Sequence, residues 1–297
     1  MKSSVSTQIL GIGLAAICGA VFLGSVADAS AKWFGDQGYL PTQVVFLRYV
    51  FGLIPVAFFL AHSGLGALRT NRLKEHFLRA CLGFGSIVFF FWGITLMPLA
   101  EAIAISFTAP LFITALSIPM LGERVGPRRW AAVIVGFIGA LIVVQPGTDT
   151  FRPGAIIITI SCIGYALSMI MTRRMSGTES NVALFTYTTI MAGFISAPFL
   201  AHGWLTPSLP HWGLFSGFGV IEGCASFLLI IAYRNAPAAV IAPFDYTAMI
   251  WASLFGWILW SENPGSHVWL GAGIIALSGV YIARREALSK MHRKSQA

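Results

Sequence analysis

The sequence predicts an all-α integral membrane protein with ten transmembrane helices, and three observations carry that reading. Hydrophobic residues make up 57% of the 297 positions and charged residues only 10%, against about 25% charged in an ordinary soluble domain. Apolar runs of about 20 residues, the length a helix needs to cross the hydrocarbon core, recur along the whole chain. When ten spans are threaded alternately from a cytoplasmic N-terminus, sixteen of the 19 Lys and Arg fall on the cytoplasmic side. That asymmetry is the positive-inside rule. The net charge of +8 therefore reports orientation, and no nucleic-acid partner is expected.

The first span covers about 9–31. Lys2, an apolar stretch and the small residues of ADASA (27–31) imitate a cleaved signal. The stretch from Ile9 to Ala27 is too long for a typical signal core, so it reads as a retained helix. The second span, 41–61, opens on Pro41 and carries Arg48. The third to fifth cover 79–97, 100–121 and 130–145. The sixth to tenth cover 153–172, 182–201, 213–233, 238–260 and 268–283, and a basic cytoplasmic tail follows at 287–297. Pro55, Pro110, Pro119, Pro198 and Pro243 offer bending points. Gly213/Gly217 and Gly219/Gly223 are spaced four apart, which permits close helix approach. That approach serves either packing within the chain or a homodimer face.

Other chemistries find little support. Cys18, Cys81, Cys162 and Cys224 all fall inside spans with no CxxC pair, so they read as packing residues. The six histidines sit at span ends or in loops. No phosphate-binding loop, zinc-protease motif or dinucleotide fingerprint occurs. No metal or cofactor is expected, and an enzyme is disfavoured.

An internal duplication organises the chain. At an offset of 139, Pro98 meets Pro237, Thr108 meets Thr247, Glu123 meets Glu262 and Trp130 meets Trp269. FFLAH (58–62) recurs as PFLAH (198–202) at an offset of 140. Two five-helix repeats follow, 9–147 and 148–286. Five is odd, so the second repeat enters the membrane from the opposite side. Inverted repeats of this kind are a recurrent architecture of secondary transporters, with the substrate site near the midplane. Glu123 and Glu262 sit at equivalent helix junctions and read as structural, as do Pro98 and Pro237.

These residues resemble the drug/metabolite transporter superfamily, and within it the ten-helix EamA type. The resemblance is carried by LGE (Leu121–Glu123), its counterpart Ser261–Glu262, and AYRNAPAAVIAP (Ala232–Pro243) followed by Tyr246. Asp28, Lys32 and Arg48 together look like the subgroup that holds bacterial S-adenosylmethionine and riboflavin uptake carriers. The resemblance implies a multi-pass protein of the cell inner membrane.

The intramembrane charges are the candidate site. Asp28 and Arg48 each lie about seven residues from the loop between the first two spans, roughly 10 Å deep at 1.5 Å per residue. Arginine inside a span costs about 2.5–3.5 kcal/mol on insertion scales, so it needs a partner. An Asp28–Arg48 ion pair is one reading. Arg48 holding an anionic or carbonyl group of a substrate through its planar fork is the other. At an offset of 140 the equivalent of Arg48 is Thr188, so the fold itself does not require the arginine. Lys32, nearer the surface, can simply snorkel.

Glu222 and Asp245, whose equivalents are Gly83 and Ser106, are candidates for coupling to protons or another cation or for pairing with a cationic part of the substrate, because intramembrane carboxylates commonly mark such sites. The alternative is a salt bridge to a first-half cation. Glu101 reads equally as an entry-site or a structural residue. Trp92, Tyr165 and Tyr246 are the deep aromatics that stack on a planar ligand or serve as packing.

The sequence thus points to a secondary carrier moving a small polar metabolite through the lipid bilayer by alternating access. Riboflavin and S-adenosylmethionine uptake lead the substrates. The alternatives are an exporter of amino acids or a metallophore and, more remotely, a non-transporting scaffold.

Overall fold

The computed structural model describes residues 2–121, 127–147, 152–175, 177–201, 203–235 and 244–294. Among these residues all regular structure is helical. Seven described helices are long and apolar enough to cross a membrane, and Trp130–Val144, Ala248–Trp260 and Ser266–Ile282 are shorter apolar helices.

The first connection shows how the sequence sets the helix ends. Helix α1 (Lys2–Asp36) stops where Gly38 adopts φ +85°. The Tyr39 and Gly38 amides donate back to the Phe34 and Gly35 carbonyls at 3.1 and 2.9 Å. This is the nested closure glycine allows after a helix, and the rings of Phe34 and Tyr39 pack over it. Helix α2 (Pro41–Ser63) then begins on a proline, whose missing N–H costs nothing in a first turn.

Helices α3 (Leu73–Thr95), α4 (Leu99–Ser106), α5 (Ala109–Leu121) and α6 (Pro127–Val144) complete the first half. The third membrane segment begins at Leu73, six residues earlier than the sequence suggests. His76 and Arg79 therefore lie within a helix, where both are buried. The fourth segment is interrupted at Phe107–Thr108, just before Pro110. Proline has no N–H to donate, so the preceding turn loses a ladder bond there.

Helices α7 (Gly154–Met175), α8 (Asn181–Ser196), α9 (Leu209–Asn235), α10 (Ala248–Trp260) and α11 (Ser266–Lys294) follow. Immediately before α10, Phe244 and Asp245 are helical and Tyr246–Thr247 form a turn. The two breaks are thus 139 positions apart. In each, threonine closes the turn: Thr108 Oγ1 donates to the Ile105 carbonyl at 2.7 Å and Thr247 Oγ1 to the Phe244 carbonyl at 2.6 Å.

Helices α1 and α2 both pack against α9, α3 packs against α7 and α8, and α6 packs against α11. Glycine permits the close approach of α2 and α9. A Cβ on Gly219 would lie 2.4 Å from Phe51 Cβ, and one on Gly223 would lie 2.2 Å from Pro55 Cγ. Gly219 and Gly223 are therefore committed to the α2–α9 crossing, whereas Gly213 and Gly217 face nothing within 4 Å. On α2, the exposed stripe is Val50, Leu53, Ile54 and Phe58, an apolar face suited to lipid. Arg48 lies on the opposite face of the same helix.

Candidate functional site

The first cluster forms where α1, α2 and α9 meet. Arg48 Nη2 donates to Glu222 Oε2 at 2.8 Å, and both side chains retain less than a fifth of their accessible surface. The Arg48 guanidinium also lies 5.4 Å from the centroid of the Tyr49 ring. Its Nε and Nη1 are buried without a hydrogen-bond partner. Asp28 is within electrostatic range of both Arg48 and Glu222 but forms no ion pair among the described residues. Of the readings open for these charges, the Asp28–Arg48 ion pair does not form among the described residues, and the salt bridge of Glu222 to a first-half cation does: Arg48 takes Glu222 as its partner. The reason lies in the packing. Helices α1 and α2 are joined by a short loop, yet each lies mainly against α9, which places Glu222 between them. One cation thus faces two carboxylates, with two of its nitrogens unpartnered.

The second cluster sits at the helix breaks. The rings of Phe107 and Tyr246 meet edge to face with centroids 4.8 Å apart. Asp245 adjoins this contact, and Tyr165 of α7 lies within its electrostatic reach. Among the described residues no cation pairs with Asp245. The far end of Tyr246 is committed elsewhere, since a Cβ on Gly279 of α11 would fall 1.7 Å from its hydroxyl. A discontinuous helix leaves carbonyl and amide groups outside the ladder, which is how many carriers build sites for substrates and ions.

A third cluster closes the end of the bundle near the α1–α2 loop. Lys32 is buried, with 4% of its surface exposed. It forms an ion pair with Glu262 and donates to the Met97 carbonyl at 2.9 Å. Glu262 Oε2 also accepts from the Leu99 amide at 2.7 Å, and Pro98 occupies the N-cap of α4. Lys32 therefore does not snorkel, because an inward carboxylate offers it a better partner than water. Glu101 faces Arg152 at 3.8 Å beside a cavity of about 60 Å³ that His267 also lines.

Of the other residues nominated from sequence, Trp92 is not brought to these clusters. It lies 45% exposed on the stripe of α3 that carries Leu78, Phe89 and Leu96, stacked on Phe89 at 6.5 Å. Glu123 and Pro237 lie outside the described residues. Sequence reasoning missed Arg79 and His76. His76 pairs with Glu179 at 3.1 Å, with both side chains almost completely buried. Arg79 donates to Thr172 Oγ1 at 3.1 Å and to the Leu184 carbonyl and Thr188 Oγ1. The available signal was the spacing of Arg72, His76 and Arg79 along one helical surface.

With this geometry in place, the relationships of the chain are informative. The EamA-like transporter family matches it twice, at residues 11–145 and 152–284. An S-adenosylmethionine uptake transporter of Rickettsia felis is 28% identical over 98% of this chain and 99% of its own. A riboflavin transporter of Rhizobium johnstonii is 30% identical over 88% of this chain and 87% of its own. A solved crystal structure shares the fold with a TM-score of 0.62, at 19% identity over 94% of this chain and 98% of its own.

Proposed function

The chain belongs to the EamA-like transporter family, and from that premise we propose that it takes up a zwitterionic, nucleoside-like solute of the S-adenosylmethionine type across the bacterial inner membrane. In this reading ten spans form two inverted five-helix halves with both termini cytoplasmic. Alternating access carries the cargo past the charges between the halves.

One observation carries the substrate class: Arg48 keeps two unpaired donor nitrogens beside the carboxylates of Glu222 and Asp28. A guanidinium edge suits a carboxylate, and two acidic groups suit an ammonium or sulfonium centre. S-adenosylmethionine presents both charges on one molecule. Its planar base has a candidate platform at Tyr165, Tyr246 and Phe107. Riboflavin is the second reading, favoured by the same aromatic residues, but it has no formal charges to match the first cluster. Asp245, acidic and without a cationic partner among the described residues, is the candidate for binding a proton or another coupling ion. Gly213 and Gly217, open on α9, are the remaining candidate for a homodimer face.

Counterflow decides among these. Vesicles loaded with unlabelled S-adenosylmethionine should accumulate the labelled compound transiently and saturably. Excess riboflavin should leave that accumulation unchanged. Counterflow of labelled riboflavin with no S-adenosylmethionine counterflow reverses the assignment, and net uptake only into inverted vesicles favours export.

A further inference from the structure

Arg79 is buried, 7% exposed, two turns into α3. Its acceptors are two threonine hydroxyls and a backbone carbonyl, all neutral, and its Nε has no partner. The other buried cations behave differently: Lys32 faces Glu262 and Arg48 faces Glu222. Among the described residues no carboxylate forms an ion pair with Arg79. A buried charge without a counter-ion is costly, and a cation inside a span is a mark of function.

Its position has a counterpart. The Arg48–Glu222 pair bridges α2 to α9. At the repeat offset of 140, Arg48 corresponds to Thr188 on α8, and at 139 Glu222 corresponds to Gly83 on α3. Thr188 accepts from Arg79, one turn from Gly83. Each crossing thus holds one guanidinium, carried on α2 in one and on α3 in the other. Tyr49 is within electrostatic range of both arginines. The crossings also lie towards opposite ends of the bundle. Arg48 is seven residues from the start of α2, beside the α1–α2 loop, and Arg79 is six residues from the start of α3, beside the α2–α3 loop.

Resting on the reading that the cargo carries an anionic group, the geometry points to Arg79 as a second anion-binding station, at the crossing that corresponds to the one holding Arg48. It takes over a carboxylate- or phosphate-class group of the cargo when the α3–α8 crossing opens. In the closed crossing the threonines and the carbonyl hold the guanidinium in place without neutralising it. An acid in their place would compete with the cargo for the guanidinium.

The test uses the full chain in nanodiscs with radiolabelled sulfate as the probe anion, at fixed ionic strength. Wild type should bind two sulfates per chain, Arg79→Gln one, and Arg79→Lys two. Glutamine keeps a neutral two-hydrogen donor for these acceptors, and the unfolding midpoint of the variant checks its fold. A single site or none in the wild type, or unchanged stoichiometry in Arg79→Gln, overturns the proposal.

Counterflow supplies an independent readout. Arg79→Gln should slow labelled S-adenosylmethionine by about tenfold, the scale of a lost charge-assisted contact. It should change the decarboxylated analogue by less than about twofold on the same scale. Equal losses for the two compounds mark a structural role and overturn the station. A wild type that moves neither compound refutes the cargo assignment while the sulfate stoichiometry still decides the station.

Discussion

Phe107 and Tyr246 touch edge to face, 4.8 Å between ring centroids, at the two points where membrane segments cease to be helical. Each ring precedes a threonine whose hydroxyl turns back to the carbonyl three residues earlier. Two positions 139 apart in sequence thus meet in space.

Thr108→Val and Thr247→Val should each remove one such bond, at about 0.5–1.5 kcal/mol. Because the bonds shape a break and not a core, the cost to stability should be small and the loss in initial transport rate larger. Melting midpoints and initial counterflow rates of both variants check this, and similar effects at the two sites are expected.

The α2–α9 crossing should tolerate little added volume. Gly223→Ala and Gly219→Ala push a methyl against Pro55 and Phe51, and overpacking of this kind costs about 1–3 kcal/mol. Gly213→Ala and Gly217→Ala meet open space and should gain up to about 1 kcal/mol from helix propensity. Thermal unfolding in detergent separates the two pairs.

Lys32→Met should destabilise by about 3–5 kcal/mol, because it strands Glu262 away from water. Adding Glu262→Gln should restore most of the loss, since the amide oxygen can still accept from the Leu99 amide. A double-mutant cycle by thermal unfolding measures the coupling.

Glu222→Gln is expected to be milder than Lys32→Met. Asp28 already lies within electrostatic range of Arg48 and can become its partner. Asp28→Asn combined with Glu222→Gln leaves Arg48 without a carboxylate, so the combined cost should exceed the sum of the single ones by more than about 0.5 kcal/mol. Unfolding midpoints of the four species measure it.

Much of this protein was legible as pattern. Run length and charge placement mark the membrane segments, and Pro110 marks the interruption in the fourth. The depth of Arg48 shows that it needs an inward partner. The identity of that partner was not legible, because it depends on which helices become neighbours. Asp28 is near Arg48 along the chain, yet Glu222, 174 positions away, is the bonded group. The same limit hides Lys32–Glu262, separated by 230 positions. Arg79 was obscured for another reason. Near a helix start, a cation that anchors orientation and one that turns inward have the same local sequence, and only packing on α7 and α8 distinguishes them.

Gln43 adds a mechanical consequence. Its side-chain amide donates to the Leu205 carbonyl at 2.6 Å and accepts from the Leu205 amide at 3.1 Å, a two-point grip between α2 and the loop ahead of α9. A single bond would act as a swivel, whereas two parallel ones transmit torque. Any tilt of α2 therefore drags that loop along, gearing the motion of one half to the other.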